Sequence, residues 1–202
     1  NDARKLPESE VTQKIVQRVE RIEHQIDRAS EIISHVGIFG RATPISRELL
    51  SVDAVVDAIA ALARPLCLDA AIFLEVKQLE PNLFVSAQQV MVEQIVMNLI
   101  SNARDAIADR KRAGDETPGR IMLQISVTGS EVLFSVEDNG TGISGENMGR
   151  LFEPFFTTKA PGSGTGLGLS ISFGIATELG GTLNAVNTGK GARFTLTLPR
   201  VQ

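Results

Sequence analysis

The chain has 202 residues, of which 43% are hydrophobic and 22% are charged, and its formal net charge is −4 at pH 7. This composition is typical of one globular domain with an appendage, and the negative balance argues against a nucleic-acid partner. The single cysteine, Cys67, excludes an internal disulfide, and no apolar run approaches the roughly 20 residues of a membrane helix, so we expect a cytoplasmic location without membrane contact by this chain.

The first predicted element is a long amphipathic helix between Val11 and Val36. Its apolar residues recur at steps of three and four, a repeat of roughly 3.5 residues that calls for a partner helix. Two glycines and a proline over residues 37–44 then indicate a linker. The sequence therefore predicts one unit over residues 1–44 and a second over 45–202. Because the chain does not begin with methionine, we expect a fragment of a longer protein.

Helices and strands are mixed downstream of the linker. In chain order we predict a helix from Val52 to Pro65, a buried strand over Ala70–Val76, a helix from about Ser86 to Arg112, a hairpin over residues 121–136, a short helix from Leu167, and strands over Thr182–Asn187 and Ala192–Leu198. Ser86 and Gln89 have the spacing of a capping box, which is expected to start the third of these helices. The mixture predicts an α+β protein with a two-layer α/β sandwich.

Asn98, Asn102 and Asp105 lie on one polar edge of the helix that ends near Arg112, within about 60° of each other. Asparagine is unfavourable in a helix interior, so two of them one turn apart suggest a role, although two ordinary surface residues are the alternative. A carboxamide oxygen is a hard ligand that Mg²⁺ accepts beside phosphate oxygens and water.

Two glycine-bearing segments follow, and each has a functional and a plain structural interpretation. In DNGTGI, residues 138–143, Asp138 ends a strand, and it marks either a tight turn or a partly buried acceptor for a ligand amino group. In GSGTGLGLSI, residues 162–171, four glycines lead into a helix whose free N–H groups suit phosphate, unless the segment is a flexible linker. A dinucleotide fingerprint is disfavoured because no strand precedes the glycines.

Between these segments lies FEPFFTTK, residues 152–159, which holds three of the nine phenylalanines. The aromatic side chains indicate either a hydrophobic plug beneath a loop or the anchors of a lid that closes over a nucleotide. On the second interpretation, Lys159 adds a cation near the phosphates.

The order of these motifs is more specific than any one of them. NLISNARDA, DNGTGI, FEPFFTTK and GTGLGL, followed by a closing strand, resemble the N, G1, F and G2 boxes of the histidine kinase catalytic domain, a member of the Bergerat-fold ATP-binding superfamily. The resemblance covers about Ile45–Pro199. It implies the Bergerat sandwich, binding of ATP or ADP with Mg²⁺, and phosphoryl transfer to a histidine.

The resemblance also implies roles for individual residues. Asp138 would read the adenine amino group with help from Thr195 through water, and Asn102 would hold Mg²⁺. Asn98, Asn102 and Lys159 are the predicted catalytic residues. The remaining predicted ATP contacts are Arg104, Asp105, Gly140, Gly142, Ile143, Phe156, Thr158, Gly164, Thr165, Gly166, Leu167 and Gly168.

Residues 21–41 resemble the second helix of the family's dimerisation and phosphotransfer bundle, which implies a homodimer in the full-length protein and a response regulator as partner. Neither His24 nor His35 is followed by the acidic residue and proline of the family's acceptor, so we expect the phosphorylated histidine outside this chain. ATPases of the superfamily carry a glutamate one turn before the metal-binding asparagine, whereas this chain has Asn98, which cannot act as a general base. The kinase is favoured; an ATPase or a non-catalytic nucleotide-sensing module is the alternative.

Overall fold

The computed structural model describes residues 15, 18–19, 47–159 and 164–201. Ile15, Arg18 and Val19 are helical, in agreement with the first predicted helix. The rest of that helix, both histidines and the predicted linker lie outside the described residues, so the domain boundary near residue 44 stays a prediction.

Seven strands and four helices form the part of the chain described between residues 47 and 201. They are β1 (Glu48–Ser51), α1 (Val52–Asp69), β2 (Ile72–Gln78), β3 (Phe84–Ala87), α2 (Gln89–Arg112), β4 (Gly119–Thr128), β5 (Glu131–Asp138), α3 (Gly145–Met148), α4 (Gly168–Glu178), β6 (Thr182–Asn187) and β7 (Ala192–Val201). The strands form one sheet in the order β1-β3-β7-β5-β4-β2, and β6 also pairs with β7. The β2–β4 pair is parallel and the other pairs are antiparallel.

The core lies between one face of the sheet and the helices α1, α2 and α4. Alternate residues of β5 are buried against the helices, and the row Val132, Phe134 and Val136 ends at Asp138 on the same face. The buried stripe of α2 includes Met91, Ile95, Leu99 and Ala103, as its helical spacing predicts. The predicted α+β two-layer sandwich is confirmed, and its last inward-facing residue on β5 is a carboxylate.

Three predicted details are wrong because tertiary contacts override local signals. Helix α1 continues through Pro65 to Asp69, since Ala63 and Cys67 on either side of the proline are buried in the core. Ser86 belongs to β3, where it pairs with Leu49 of β1, and α2 begins at Gln89 without a side-chain cap, so the capping box does not form.

The third wrong prediction is the burial of the strand expected over Ala70–Val76, which corresponds to β2. The strand β2 is half exposed and lies at the end of the sheet order, where helices cover only one of its faces. The side chain of Phe73 therefore points to the uncovered face.

Candidate functional site

A cavity of about 760 Å³ opens between α2, the loop after β5, the segment up to Lys159 and the start of α4. Most of the predicted site residues meet there although they come from four separate stretches of the chain. Those that line it are Asn98, Asn102, Arg104, Asp105, Asp138, Gly142, Ile143, Phe156, Thr158, Lys159, Gly164, Thr165, Gly166 and Gly168.

Three predicted residues do not line the cavity. Gly140 shapes it from behind, because its N–H donates to Asp138 Oδ1 at 2.7 Å, and Leu167 is buried in the core. Thr195 lies on the opposite face of the sheet, where its hydroxyl is 3.1 Å from Ser135 Oγ. The structure therefore does not bring Thr195 to the cavity, and this prediction is corrected.

Ala192 takes the position beside Asp138 that was assigned to Thr195. It is buried, lines the cavity, and its backbone N–H points to Asp138 Oδ1 at 3.4 Å. A methyl group, rather than a hydroxyl, thus adjoins the carboxylate at this point. The sequence analysis missed Ala192 because alanine carries no chemical signal of a binding role.

The Asp138 carboxyl group is the most strongly buried charge in the cavity wall, with 5% of its surface exposed. Burial raises the pKa of Asp138, and the N–H groups of Gly140 and Ala192 partly oppose this shift by stabilising the carboxylate. Both donate to Oδ1, whereas Oδ2 has no hydrogen bond to any residue that the structure describes. Oδ2 is therefore available to accept from a donor in the cavity, such as the amino group of a ligand.

Close backbone approaches hold Asp138 in this place. A Cβ atom on Gly191 would lie 2.2 Å from the Asp138 carbonyl oxygen, and one on Gly140 would lie 2.6 Å from Ala106 Cβ. Only glycine fits at either position without a shift of the backbone. Gly191 was not predicted as a site residue, because the sequence Gly-Lys-Gly between two strands indicated only a turn.

Helix α2 forms one long side of the cavity and sets the positions of its groups. At one end a Cβ atom on Gly168 would lie 2.5 Å from Asn98 Oδ1, so Asn98 adjoins the start of α4. At the other end Ala106 adjoins the Asp138 loop. The eight steps along the helix from Asn98 to Ala106 span about 12 Å, and Asn102 lies midway.

The two asparagines of α2 differ in their contacts. Asn98 donates from Nδ2 to the buried Ser172 Oγ at 2.9 Å and so connects α2 with α4. The carboxamide of Asn102 makes no hydrogen bond to another described side chain or backbone group, although it lines the cavity. Asn102 therefore has an oxygen free for a ligand or a metal ion.

Charged groups cluster on the side of the cavity that faces Lys159. Its Nζ lies 2.5 Å from Asp105 Oδ2, and Arg104 Nη2 lies 3.5 Å from Asp105 Oδ1. About a third of each of the Lys159 and Asp105 side chains is exposed, at 31% and 33%. These cations are therefore held by surface ion pairs, which a multiply charged anion can exchange at low cost.

The phenylalanine segment is attached to the domain at several points. The ring of Phe152 stacks on Phe173 with centroids 5.1 Å apart, and the Arg150 guanidinium lies 4.5 Å above the Phe156 ring. Phe155 has a left-handed backbone with φ of 66° and its side chain is 74% exposed. A Cβ on Gly166 would lie 2.5 Å from the Phe155 carbonyl carbon, so the two ends of the predicted lid are in contact.

No helix among the described residues is both long enough and apolar enough to cross a bilayer. The same residues contain no cluster of three or more His, Cys, Asp or Glu side chains suited to a metal ion.

Residues 87–202 match the family described as histidine kinase-, DNA gyrase B- and HSP90-like ATPase. The match covers more than half of the chain, which therefore belongs to this family. The two-component sensor PprA of Pseudomonas aeruginosa is 36% identical over 186 residues, 91% of this chain and 20% of PprA. The chain spans about a fifth of the length of PprA and of the sensor kinase CckA of Brucella abortus, which it also matches.

Solved structures agree with this assignment. The nucleotide-free catalytic domain of the histidine kinase ThkA is 28% identical with a TM-score of 0.66, covering 77% of this chain and 96% of that domain. ThkA in complex with the response regulator protein TrrA shares the fold, with 23% identity and a TM-score of 0.74 over 97% of this chain and 53% of ThkA. Family membership confirms the predicted resemblance and implies ATP binding.

Proposed function

We propose that this chain is the ATP-binding catalytic core of a two-component sensor histidine kinase, which transfers the γ-phosphoryl group of Mg-ATP to a histidine nitrogen. The observation that carries the proposal is the buried Asp138 carboxylate, whose Oδ2 is free at one end of a cavity of about 760 Å³. Adenine offers an exocyclic amino group, a donor that suits this acceptor.

The course of α2 along the cavity supports one orientation of the bound nucleotide. The base would lie near Ala106 and Asp138, and the phosphates would extend toward Asn98 and the N-terminus of α4. Gly166 and Gly168 line the cavity at that terminus, where the free backbone N–H groups of the first turn of α4 suit phosphate oxygens. The distance of about 12 Å along the helix suits a nucleoside triphosphate.

Mg²⁺ fits the residues present at the middle of the cavity. The Asn102 oxygen has no other described partner, and Mg²⁺ in phosphate sites typically keeps several waters and uses few protein ligands. When bound, the ion would neutralise phosphate charge and orient the transferred group. The proposal requires no carboxylate cage, which agrees with the absence of one from the part of the chain that the structure describes.

Asn102→Ala provides a test of the metal site. We expect about 10-fold weaker binding of ATP in the presence of Mg²⁺ and unchanged binding of adenosine, because only the phosphate-bound ion loses a ligand. Isothermal titration calorimetry with and without a chelator measures both. An equal loss for ATP with and without the metal contradicts the assignment of Asn102 to the ion.

The cavity favours a transferase over a hydrolase. Its lining residues include the carboxylates Asp105, Asp109 and Asp138, but no glutamate, and Asn98 is bonded to Ser172. Glu93 accepts from Gln89 Nε2 at 2.6 Å and does not line the cavity. Positioning and charge neutralisation are sufficient for phosphoryl transfer to a nucleophile, whereas hydrolysis also needs a group that orients water.

We extend the proposal to an acceptor histidine, a response regulator and a second copy of the chain. The acceptor histidine would lie on a neighbouring segment of a longer chain, since the matched relatives are about five times longer. A response regulator would receive the phosphoryl group, and residues 1–44 would pair with a second copy in a dimer. We place the domain in the cytoplasm, where ATP is supplied.

The deciding experiment mixes the chain with labelled Mg-ATP and a separately expressed, histidine-bearing acceptor helix bundle from the same protein. We expect acid-labile, base-stable phosphate on the bundle, as a phosphohistidine requires. Asp138→Asn is the matched control that removes the nucleotide contact. Steady release of inorganic phosphate without the bundle would indicate an ATPase instead, and binding without transfer would indicate a nucleotide-sensing module.

A further inference from the structure

Asn187, the last residue of β6, contacts the loop after β5 through both atoms of its carboxamide. Its Oδ1 accepts from the Ile143 N–H at 2.8 Å, and its Nδ2 donates to the Ile143 carbonyl oxygen at 2.7 Å. The two bonds form a pair of the kind that a peptide unit makes in a sheet. The side chain thus holds the backbone of a residue 44 positions away in the sequence.

The opposite flank of the same loop is held in the same way. Asn139 Oδ1 accepts from the Arg120 N–H at 2.8 Å, and Asn139 Nδ2 donates to the Pro118 carbonyl oxygen at 2.8 Å. Asp138 lies directly before Asn139, and the loop ends at Ile143. The segment that carries the buried carboxylate is therefore fixed on both sides by asparagine carboxamides.

The backbone around Gly142 admits the Asn187 side chain. Gly142 has φ of 71°, and a Cβ atom there would lie 3.1 Å from Asn187 Oδ1. A side chain at this position would strain the backbone and crowd the carboxamide. The close approach of Asn187 thus explains why the second glycine of DNGTGI, Gly142, stands at this position.

We propose that Asn187 is a positioning residue for nucleotide binding, which holds Ile143 as a wall of the base end of the cavity. The proposal rests on the proposed function, since it takes the ligand to be an adenine nucleotide. Ile143 lines the cavity and is the first residue of the segment that leads to Lys159. Asn187 itself does not line the cavity, so its effect passes through the Ile143 backbone.

Asn187→Ala tests the proposal, with Asn184→Ala as the matched control. Asn184 lies on the same strand, and its Nδ2 donates only to Thr182 Oγ1, at 3.4 Å. We expect the Asn187 variant to bind ATP, ADP and AMP about 5-fold more weakly by calorimetry, equally for all three because the base end is common to them. The amide hydrogen of Ile143 is expected to exchange faster in this variant without any nucleotide.

The Asn187→Asp variant tests whether Asn187 positions Ile143 for nucleotide binding or only stabilises the fold. At pH 7 its carboxylate accepts from the Ile143 N–H but faces the Ile143 carbonyl oxygen without a donor, so weak binding is expected. Protonation restores an O–H donor, so the Kd ratio of this variant to the wild type is expected to fall as the pH is lowered toward the pKa of the new carboxyl group.

Unchanged nucleotide affinity and unchanged Ile143 exchange in Asn187→Ala would overturn the positioning role. A loss for ATP alone, with AMP unaffected, would also overturn it, because it would place the effect at the phosphates. Failure of the wild type to bind adenine nucleotides would remove the proposed function and this role together. Wild-type binding without phosphoryl transfer would remove only the kinase assignment.

Discussion

The two sides of the cavity are built in different ways. At the base end, Asp138 is 5% exposed and is held by backbone donors and by glycines that permit close contact. On the lid side, Lys159 and Asp105 are about a third exposed and meet through ion pairs with side chains. A buried, closely packed end suits selection of a base, whereas partly exposed charges suit phosphates whose number changes during a reaction.

Asp138→Asn is the strongest test of this contrast. The amide would turn a donor toward the adenine amino group in place of an acceptor, so we expect at least about 100-fold weaker binding of ATP and adenosine alike. The folded state is not expected to lose stability, because Asn keeps an acceptor for the Gly140 and Ala192 N–H groups and removes a buried charge. Calorimetry and urea unfolding measure the two effects.

Equal ATP affinity in the wild type and in Asp138→Asn would show that the pocket is assigned wrongly. Loss of both folding and binding would mean that the carboxylate is structural, and the rigid end would then have no demonstrated recognition role.

Gly191→Ala tests the close packing behind Asp138. The added methyl group would meet the Asp138 carbonyl oxygen at 2.2 Å, so the turn before β7 must shift. We expect a loss of about 2 kcal/mol in the free energy of unfolding, together with weaker nucleotide binding. Gly149→Ala is the control, because nothing lies within 4 Å of its Cβ position. Equal stability of the two variants would contradict tight packing at the base end.

The pH dependence of binding follows from the raised pKa of Asp138. Only the carboxylate accepts from adenine, so affinity for adenosine, which has no phosphate to titrate, is expected to fall as the pH drops through that pKa. The stability of the folded protein depends on Asp138 in the opposite direction, because it increases as the pH falls. Its folded-state pKa lies above the unfolded value, so burial of the charge destabilises the protein at neutral pH and this cost is relieved in acid.

Adenosine titrations at several pH values, with Asp138→Asn beside the wild type, measure this dependence. A wild-type affinity that stays constant while the pH falls through the pKa of Asp138 would mean that Asp138 is not the acceptor.

Lys159→Ala has the smallest expected effect. Its side chain is about a third exposed and its charge contributes little, so we expect about 3-fold weaker ATP binding, no change for adenosine, and a difference that shrinks as salt is added. Calorimetry at low and high ionic strength measures it. A loss of 100-fold, or an equal loss for adenosine, would show that the lid side is as rigid as the base end.

Local patterns in the sequence predicted much of this site. The alternation over Val132–Val136 predicted the strand that leads into Asp138, and helical spacing placed Asn98 and Asn102 on one edge of a helix. These inferences hold because side-chain direction within a strand or helix depends on the backbone repeat alone. The ordered motifs then indicated the family, which the comparisons confirm.

Other features depend on contacts between distant parts of the chain. The neighbour of Asp138 is Ala192 rather than Thr195, because the register of β5 and β7 decides which residue faces the cavity. Pro65 stays within a helix because Ala63 and Cys67, one on each side of it, are buried in the core.

Periodicity along single segments predicted the mixture of helices and strands, and the order of the motifs indicated the family. The residues that surround the Asp138 carboxylate depend on tertiary packing, which no single segment predicts. Asn187 lies 44 residues beyond Ile143, and its carboxamide makes two bonds that no local pattern encodes. Strand register and the approach of glycine backbones set those contacts, because both depend on how the whole sheet and its helices pack.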